Sequence, residues 1–163
     1  MKKPQIIQHK IFALPELLKQ INRWRLLRHT IAFTNGCFDI LHPGHIASLS
    51  KAAEQADLLI VGVNADESVR KLKGAPRPVS DQQSRALILA SLLMVDAVVI
   101  FEEDTPLNLI NAILPDVLVK GGDYTIEEIV GAKEVIANGG RVVINPIVPG
   151  FSTSGLIKKI LTL

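Results

Sequence analysis

The sequence contains little cysteine and no long apolar run. Cys37 is the one cysteine among 163 residues, so no intramolecular disulfide can form. Apolar stretches such as residues 96–101 (DAVVIF) are far shorter than the roughly 20 residues that cross a bilayer. The opening segment MKKPQIIQHK also lacks the apolar core of a secretory signal. These absences predict a cytoplasmic protein without a membrane segment.

Neither sign of charge dominates the chain. The 18 basic and 16 acidic side chains leave a net charge of +2 and a pI near 8.8. A balance this even does not predict the basic stripe of a nucleic-acid-binding domain. We therefore expect no nucleic-acid partner, and we expect any anionic ligand to be small.

Short β-branched runs alternate with longer amphipathic segments in a chain of 48% hydrophobic and 21% charged residues. This alternation is typical of a parallel sheet covered by helices on both faces. We predict a single α/β domain with a Rossmann-like, doubly wound, five-stranded parallel sheet and right-handed crossovers. The main domain is expected at 29–163, after an amino-terminal helical extension at 1–28. The predicted strands are 30–34, 58–64, 97–101, 117–120 and 141–145, and the predicted helices are 14–27, 46–55, 81–94, 105–113, 126–138 and 152–161.

The segment TNGCFDILHPGH, residues 34–45, follows the first strand of the predicted sheet. In open parallel sheets, ligands bind beyond the carboxyl ends of the strands, where the strand order reverses. Gly36 allows the backbone to approach a bound group closely, and Pro43 favours the first turn of a helix. The free N–H groups and the positive dipole end of that helix attract an anion. The segment therefore predicts a phosphate-binding turn.

His42 and His45 are three residues apart at the start of this helix, so both side chains lie near one face. Two imidazole donors there can stabilise the charge that develops at phosphorus during an in-line displacement. Two other interpretations stay open: surface or capping histidines, and a metal cluster that includes Cys37. The metal interpretation is the weaker one, because a structural zinc site needs four ligands.

The segment KLKGAPRPVS, residues 71–80, is rich in lysine, arginine, proline and glycine and predicts a basic loop. On composition alone, a solvated connection is the better interpretation of such a loop.

Two motifs near opposite ends of the chain resemble a known superfamily. GCFDILHPGH resembles the signature of the nucleotidyltransferases that carry an HxGH motif, and GFSTSGLI, residues 150–157, resembles their second signature. Further segments, among them VGVNADESVRKLKG, FEEDTPLNLI and ILPDVLVKGGDY, are similar to the adenylyltransferase domain of bacterial ADP-heptose synthases. This similarity extends from about Lys10 to Leu161. In the bifunctional synthases the domain follows a sugar kinase, so the resemblance implies a separate sugar kinase, and it also implies a homodimer.

The resemblance implies transfer of AMP from ATP to D-glycero-D-manno-heptose 1-phosphate, with release of pyrophosphate, by a nucleotidyltransferase domain at 29–163. The product, ADP-heptose, is a precursor of the lipopolysaccharide core. The acceptor phosphate would attack in line without a covalent intermediate. Mg²⁺ would be carried by the phosphates of ATP, with no metal ligand from the protein.

Matching motif positions imply three sets of site residues. Catalytic roles are implied for His42, His45 and Lys73. Nucleotide or phosphate contacts are implied for Thr34, Asn35, Gly36, Cys37, Phe38, Gly44, Arg85, Gly121, Gly122, Asp123, Ser152, Thr153 and Ser154. Acceptor contacts are implied for Asn64, Asp66 and Lys71. Asp123 also suits a plain turn, and NADES, residues 64–68, also suits an ordinary helix cap.

One departure from the superfamily concerns the choice of nucleotide. Related cytidylyltransferases carry an Arg-Thr pair shortly before the second signature, where this chain has Ile147 and Val148. The difference disfavours the nearest alternative, a cytidylyltransferase of the glycerol-3-phosphate type. A nucleotide-binding module without catalysis is the other alternative, because a fold alone does not prove chemistry. The histidine pair argues against such a module, since a sensor has no need of a transition-state donor.

Overall fold

The computed structural model describes residues 4–163, which form one six-stranded sheet with parallel pairing throughout. The strands are Ile11–Phe12 (β1), Ile31–Gly36 (β2), Leu58–Asn64 (β3), Ala97–Phe101 (β4), Val117–Gly121 (β5) and Arg141–Asn145 (β6). Their order across the sheet is β1-β4-β3-β2-β5-β6. The helices are Leu14–Leu26 (α1), Pro43–Ala53 (α2), Asp66–Lys73 (α3), Gln82–Ala90 (α4), Leu107–Ile113 (α5), Ala132–Ala137 (α6) and Thr153–Leu161 (α7). The predicted α/β class and parallel sheet are confirmed.

Both faces of the sheet are apolar, because successive strand residues point to opposite sides and helices cover each side. The side that packs against α1, α5 and α6 is called the α1 face here, and its core includes Leu17, Ile21, Phe33, Ile60, Ile110 and Leu118. The side that packs against α2 and α4 is called the α2 face, and its core includes Ala32, Leu49, Val61, Leu89 and Val119. Within residues 4–163, no helix is both long enough and apolar enough to cross a membrane.

The sheet has six strands rather than the five predicted. The additional strand, β1, has two residues that pair with Val98 and Val99 of β4. Two residues are too few to show a strand period, so the sequence pattern carries no signal there. Helix α1 buries Leu17 and Ile21 almost completely against the sheet. Residues 11–26, which we expected in an extension, therefore pack into the same core as the residues beyond 28.

Two helices near the expected basic loop differ from their predicted bounds. α3 ends at Lys73, so the first three residues of that loop are helical. α4 ends at Ala90 instead of continuing to residue 94. The ammonium of Lys10 donates to the carbonyls of Leu92 and Val95 at 3.3 and 2.6 Å, which stabilises a non-helical turn after α4.

The helix predicted at 126–138 is interrupted. A 3₁₀ turn, Ile126–Glu128, is followed by α6, and Gly131 between them adopts a positive φ of 85°. A Cβ at Gly131 would lie 2.6 Å from Cδ1 of Ile110, so both the backbone angle and the packing require glycine.

The strand order reverses at β2, which pairs with β3 on one side and with β5 on the other. β2 and β5 pair only at Ala32–Val117 and Phe33–Leu118, so the last three residues of β2 pair with β3 alone. The sheet therefore opens between the carboxyl ends of β2 and β5. This is the place where open α/β sheets bind ligands.

Candidate active site

A cavity of about 680 Å³ occupies this opening. Its walls come from the carboxyl ends of β2, β3 and β5, the first turns of α2 and α7, the end of α3 with the loop that follows it, and the residues before α5. A volume of this size holds a small organic ligand.

The turn after β2 places an aromatic ring where we expected the close approach of a ligand. Phe38 has a left-handed backbone with a φ of 48°. Its ring lies over Gly36, where a Cβ would be 3.1 Å from Cε2 of Phe38. The same ring meets the ring of His45 edge-on, with their centroids 5.5 Å apart. Gly36 is therefore small to admit the Phe38 ring, which in turn fixes one side of His45.

His42 and His45 form a stacked pair with ring centroids 3.8 Å apart. His42 caps α2, because its Nδ1 accepts a hydrogen bond of 3.3 Å from the backbone N–H of His45. A neutral His42 that accepts at Nδ1 carries its proton on Nε2, which leaves Nε2–H as a free donor. The capping and catalytic interpretations of His42 are therefore compatible. A Cβ on Gly44 would lie 3.1 Å from the His42 ring and from Cβ of Phe151, so glycine between the histidines preserves the stack.

Burial lowers the pKa of both imidazoles, which favours their uncharged forms. Desolvation, with a smaller contribution from the charge of His42, lowers the pKa of His45 to about 4. Desolvation also lowers the pKa of His42. Within residues 4–163, Nδ1 of His45 is the buried side-chain polar atom that has no hydrogen-bond partner. An unpartnered buried nitrogen is costly, and a nearby anion would favour protonation of this pair.

Asp39 fastens the loop between α3 and α4 to the turn after β2. Its buried carboxylate pairs with Arg77 and accepts from the N–H groups of Val79 and Ser80 at 2.8 and 3.0 Å. Burial opposes ionisation of Asp39, but the hydrogen bonds from Ser80, Val79 and Arg77 outweigh it and hold its pKa below the usual value. Lys73, the last residue of α3 before this loop, lies on the wall of the cavity.

Arg85 lies beneath the site and not in it. Its side chain is completely buried, and its guanidinium donates to the carbonyls of Ser80, Cys37 and Asn64 and to the carboxylate of Asp66. These four bonds, 2.5 to 3.0 Å long, tie the ends of β2 and β3 to α3 and α4. These bonds engage the donors of Arg85 within the protein itself, and the phosphate contact expected for Arg85 stays a prediction.

Three hydroxyl side chains mark the start of α7. Ser152 is the cap, and its Oγ accepts from the N–H of Gly155 at 3.0 Å. Thr153 and Ser154 follow in the first turn, and all three line the cavity. Free backbone N–H groups and hydroxyls at a helix start suit an anionic ligand.

The sequence model of the family described as cytidylyltransferase-like matches residues 33–159, which include the histidine pair and the start of α7. The chain belongs to the cytidylyltransferase-like family. This membership confirms the superfamily resemblance of the two motifs.

Two bacterial relatives match nearly the whole of this cytidylyltransferase-like chain. The bifunctional protein HldE of Acidiphilium cryptum is 57% identical over 151 residues, which are 93% of the chain and 31% of that protein. The bifunctional protein HldE of Koribacter versatilis is 54% identical over 154 residues, 94% of the chain and 32% of that protein. The chain thus spans about a third of the length of these curated relatives.

Solved structures agree with the fold. A lipopolysaccharide core biosynthesis protein from Thermoplasma volcanium is 28% identical, with a TM-score of 0.60, and the match covers 74% of this chain and 97% of that one. A pantoate-beta-alanine ligase from Francisella tularensis is 16% identical, with a TM-score of 0.54 over 90% of this chain and 76% of that one. The second likeness shows the fold alone.

Most residues predicted for the site of this cytidylyltransferase-like chain do line the cavity. They are Thr34, Asn35, Gly36, Cys37, Phe38, His42, His45, Asn64, Lys73, Gly121, Ser152, Thr153 and Ser154. Their specific contacts with nucleotide or acceptor stay predictions.

The remaining predicted residues lie outside the cavity wall for identifiable reasons. Besides Arg85 they are Gly44, Asp66, Lys71, Gly122 and Asp123. Lys71 pairs with Asp104 at 2.8 Å on the surface, and Asp66 is held by the guanidinium beneath the site. Gly122 leaves room for the ring of Tyr124, because a Cβ at this position would lie 2.6 Å from Cε2 of that ring. The exposed Asp123 agrees with a plain turn, the second interpretation of that position.

Sequence reasoning missed several side chains that line the cavity. Asp39 lies inside the HxGH segment, but its role depends on a loop about 40 residues away. Lys120 was interpreted as the last residue of a strand, although a lysine in an otherwise apolar strand pattern was a usable signal. Tyr124 and Thr105 carry no such signal, because only the fold brings them to the same opening.

Proposed function

We propose that this chain transfers AMP from ATP to D-glycero-D-manno-heptose 1-phosphate and releases pyrophosphate. The observation that carries the proposal is the stacked pair of His42 and His45 at the start of α2, open to a cavity at the strand-order reversal. The identity of 50% or more to bifunctional HldE proteins and the resemblance to the adenylyltransferase domain of ADP-heptose synthases support this acceptor.

The reaction is an in-line displacement at the α-phosphorus of ATP. An oxygen of the acceptor phosphate attacks, the bond between the α-phosphorus and the bridging oxygen breaks, and its electron pair leaves with pyrophosphate. The acceptor phosphate is already ionised, so no general base is required. The protein aligns the two substrates and stabilises the charge on the equatorial oxygens.

Each charge-stabilising group has a defined origin in the fold. His42 offers Nε2–H because its Nδ1 caps α2. His45, held between the rings of Phe38 and His42, becomes a stronger donor when the phosphates favour its protonated form. On this proposal, Lys73 contacts the reacting phosphates, and the hydroxyls at the start of α7 bind the β- and γ-phosphates.

Magnesium fits this site as a companion of ATP. It would neutralise charge on the β- and γ-phosphates. The two carboxylates on the cavity wall, Asp39 and Asp104, are paired with Arg77 and Lys71. Within residues 4–163, no group of three or more His, Cys, Asp or Glu side chains is arranged to hold a metal ion. Mg²⁺ carried by the phosphates of ATP stays a prediction.

The substrate preference is tested by incubating the protein with Mg²⁺, the heptose 1-phosphate and each nucleoside triphosphate in turn. Pyrophosphate release and the nucleotide sugar are both measured. We expect turnover with ATP, and turnover with CTP alone would refute the adenylyl assignment. His45→Ala is expected to lower kcat far more than it weakens ATP binding, because a transition-state donor contributes little to the ground state. Equal losses would refute the catalytic role of His45.

The biological setting remains part of the proposal. A separate sugar kinase that introduces the anomeric phosphate of the acceptor stays a prediction. A cytoplasmic location and a homodimer stay predictions. Analytical ultracentrifugation at micromolar concentration tests the dimer.

A further inference from the structure

Lys120 is a cation in the cavity wall to which the proposed chemistry gives no role. It lies in β5, two residues beyond Leu118, so its side chain shares the α1 face. The side chain is half-buried and lines the cavity. None of the four side-chain ion pairs within residues 4–163 includes Lys120. Burial lowers its pKa, a cost to the ammonium that a bound anion would relieve.

The cavity has two chemically different sides. The α2 face supplies the histidine pair, and the start of α7 lies beside it, because the rings of His42 and Phe151 are stacked with centroids 6.3 Å apart. The α1 face supplies Asn35 and Lys120. Each lies two residues beyond a core residue of its strand, Phe33 or Leu118, and therefore points to the same side of the sheet. Triphosphate bound at the starts of α2 and α7 would leave the α1 side of the cavity for the nucleoside and for the second substrate.

An in-line displacement requires the attacking oxygen and the leaving pyrophosphate on opposite sides of the α-phosphorus. Of the other cations on the cavity wall, Arg77 is paired with Asp39 in the turn after β2, and Lys73 ends α3 just before the same loop. Lys71, which we expected at the acceptor, is paired with Asp104 instead. Among the residues that line the described cavity, Lys120 is thus the cation on the side away from the starts of α2 and α7.

We propose that Lys120 binds the phosphate of the acceptor sugar 1-phosphate and positions it for attack. This inference rests on the proposed function. The surrounding side chains suit a polyhydroxylated sugar. The hydroxyl of Thr105 and the carboxamide oxygen of Asn64, whose Nδ2 donates to Ser68, can bond to sugar hydroxyls, and the Tyr124 ring offers an apolar surface.

The test separates the two substrates. Equilibrium binding of the heptose 1-phosphate, with a non-hydrolysable ATP analogue present, is measured for the wild type and for Lys120→Met, Lys120→Gln and Lys120→Arg. Steady-state KM values for ATP and for the acceptor are measured alongside. The matched control is Lys133→Met, an exposed lysine of α6 outside the cavity wall. Melting temperatures show whether each variant folds.

Loss of a charge-assisted contact to phosphate is expected to weaken acceptor binding about tenfold to hundredfold in the Met and Gln variants. We expect the affinity for the ATP analogue to stay within twofold, and the Arg variant to retain most of the acceptor affinity.

Three outcomes distinguish a failure of the role of Lys120 from a failure of the proposed function. Turnover by the wild type with an unchanged acceptor KM in the Met and Gln variants would overturn the role of Lys120 and leave the proposed function intact. Equal weakening of both substrates would also overturn it. Binding of the heptose 1-phosphate without turnover on any nucleotide would refute the proposed function, while the loss of binding in the variants would still support the role of Lys120.

Discussion

Replacing Arg85 by methionine separates a structural arginine from a phosphate ligand. Methionine keeps much of the side-chain volume but removes donors to three carbonyls and to the carboxylate of Asp66. Removing one partner of a buried ion pair costs about 3–5 kcal/mol. The Asp66 side chain keeps 22% exposure, so we take the lower end, about 3 kcal/mol. At roughly 2–4 °C per kcal/mol for a chain of this size, the melting temperature should fall by about 6–12 °C.

The assay is urea denaturation together with a thermal melt, and the matched control is Arg70→Met. Arg70 forms an exposed pair with Glu67, both on α3, and such a pair is worth about 0.5 kcal/mol or less. If Arg85→Met unfolded within 1 kcal/mol of the control while the KM for ATP rose, Arg85 would be a ligand for the nucleotide. That result would refute our account of the network beneath the site.

Three further predictions concern the histidine pair and the loop above it. The pKa of His45 is about 4 in the folded protein and 6.5 when unperturbed, so the unfolded chain binds a proton first as the pH falls. Urea denaturation should therefore show that the free energy of unfolding declines as the pH is lowered from 6.5 to about 4. His45→Gln should flatten this decline. A slope unchanged by the substitution would contradict this. Asp39→Asn should release the loop and accelerate trypsin cleavage after Lys73, and wild-type cleavage rates would refute the attachment. Gly44→Ala, which in an ordinary helix stabilises by about 1 kcal/mol, should instead displace His42 and lower kcat, and full activity would contradict the contact.

The sequence predicted the parts of the site that are local in the chain. His42 and His45 share a helical turn, and Ser152 lies at the start of the last helix, so spacing and capping rules placed them correctly. Strand β1 and the interruption at Gly131 were missed. β1 is too short to have a period, and the glycine is fixed by contact with Ile110 of another helix.

Long-range partners decided the roles that the sequence left open. Arg85 looked like a phosphate ligand because its position matches a family motif, but its donors meet carbonyls from the turn after β2, from β3 and from the loop after α3. Lys71 looked like an acceptor ligand, but Asp104 lies 33 residues away in the chain and within 2.8 Å in space. One amino-acid sequence does not reveal such pairings, because ion pairs and hydrogen bonds depend on distances between atoms in the folded protein.

By itself, the sequence determined an α/β chain with two histidines on one helical face and a hydroxyl-rich helix start. Period, capping and helix dipoles act within a few residues, so a local pattern is enough to predict them. Only the tertiary structure decided which cations remain free for substrate. Arg77 and Arg85 are neutralised by Asp39 and Asp66, whereas β5 carries Lys120 into the opening where its strand separates from β2.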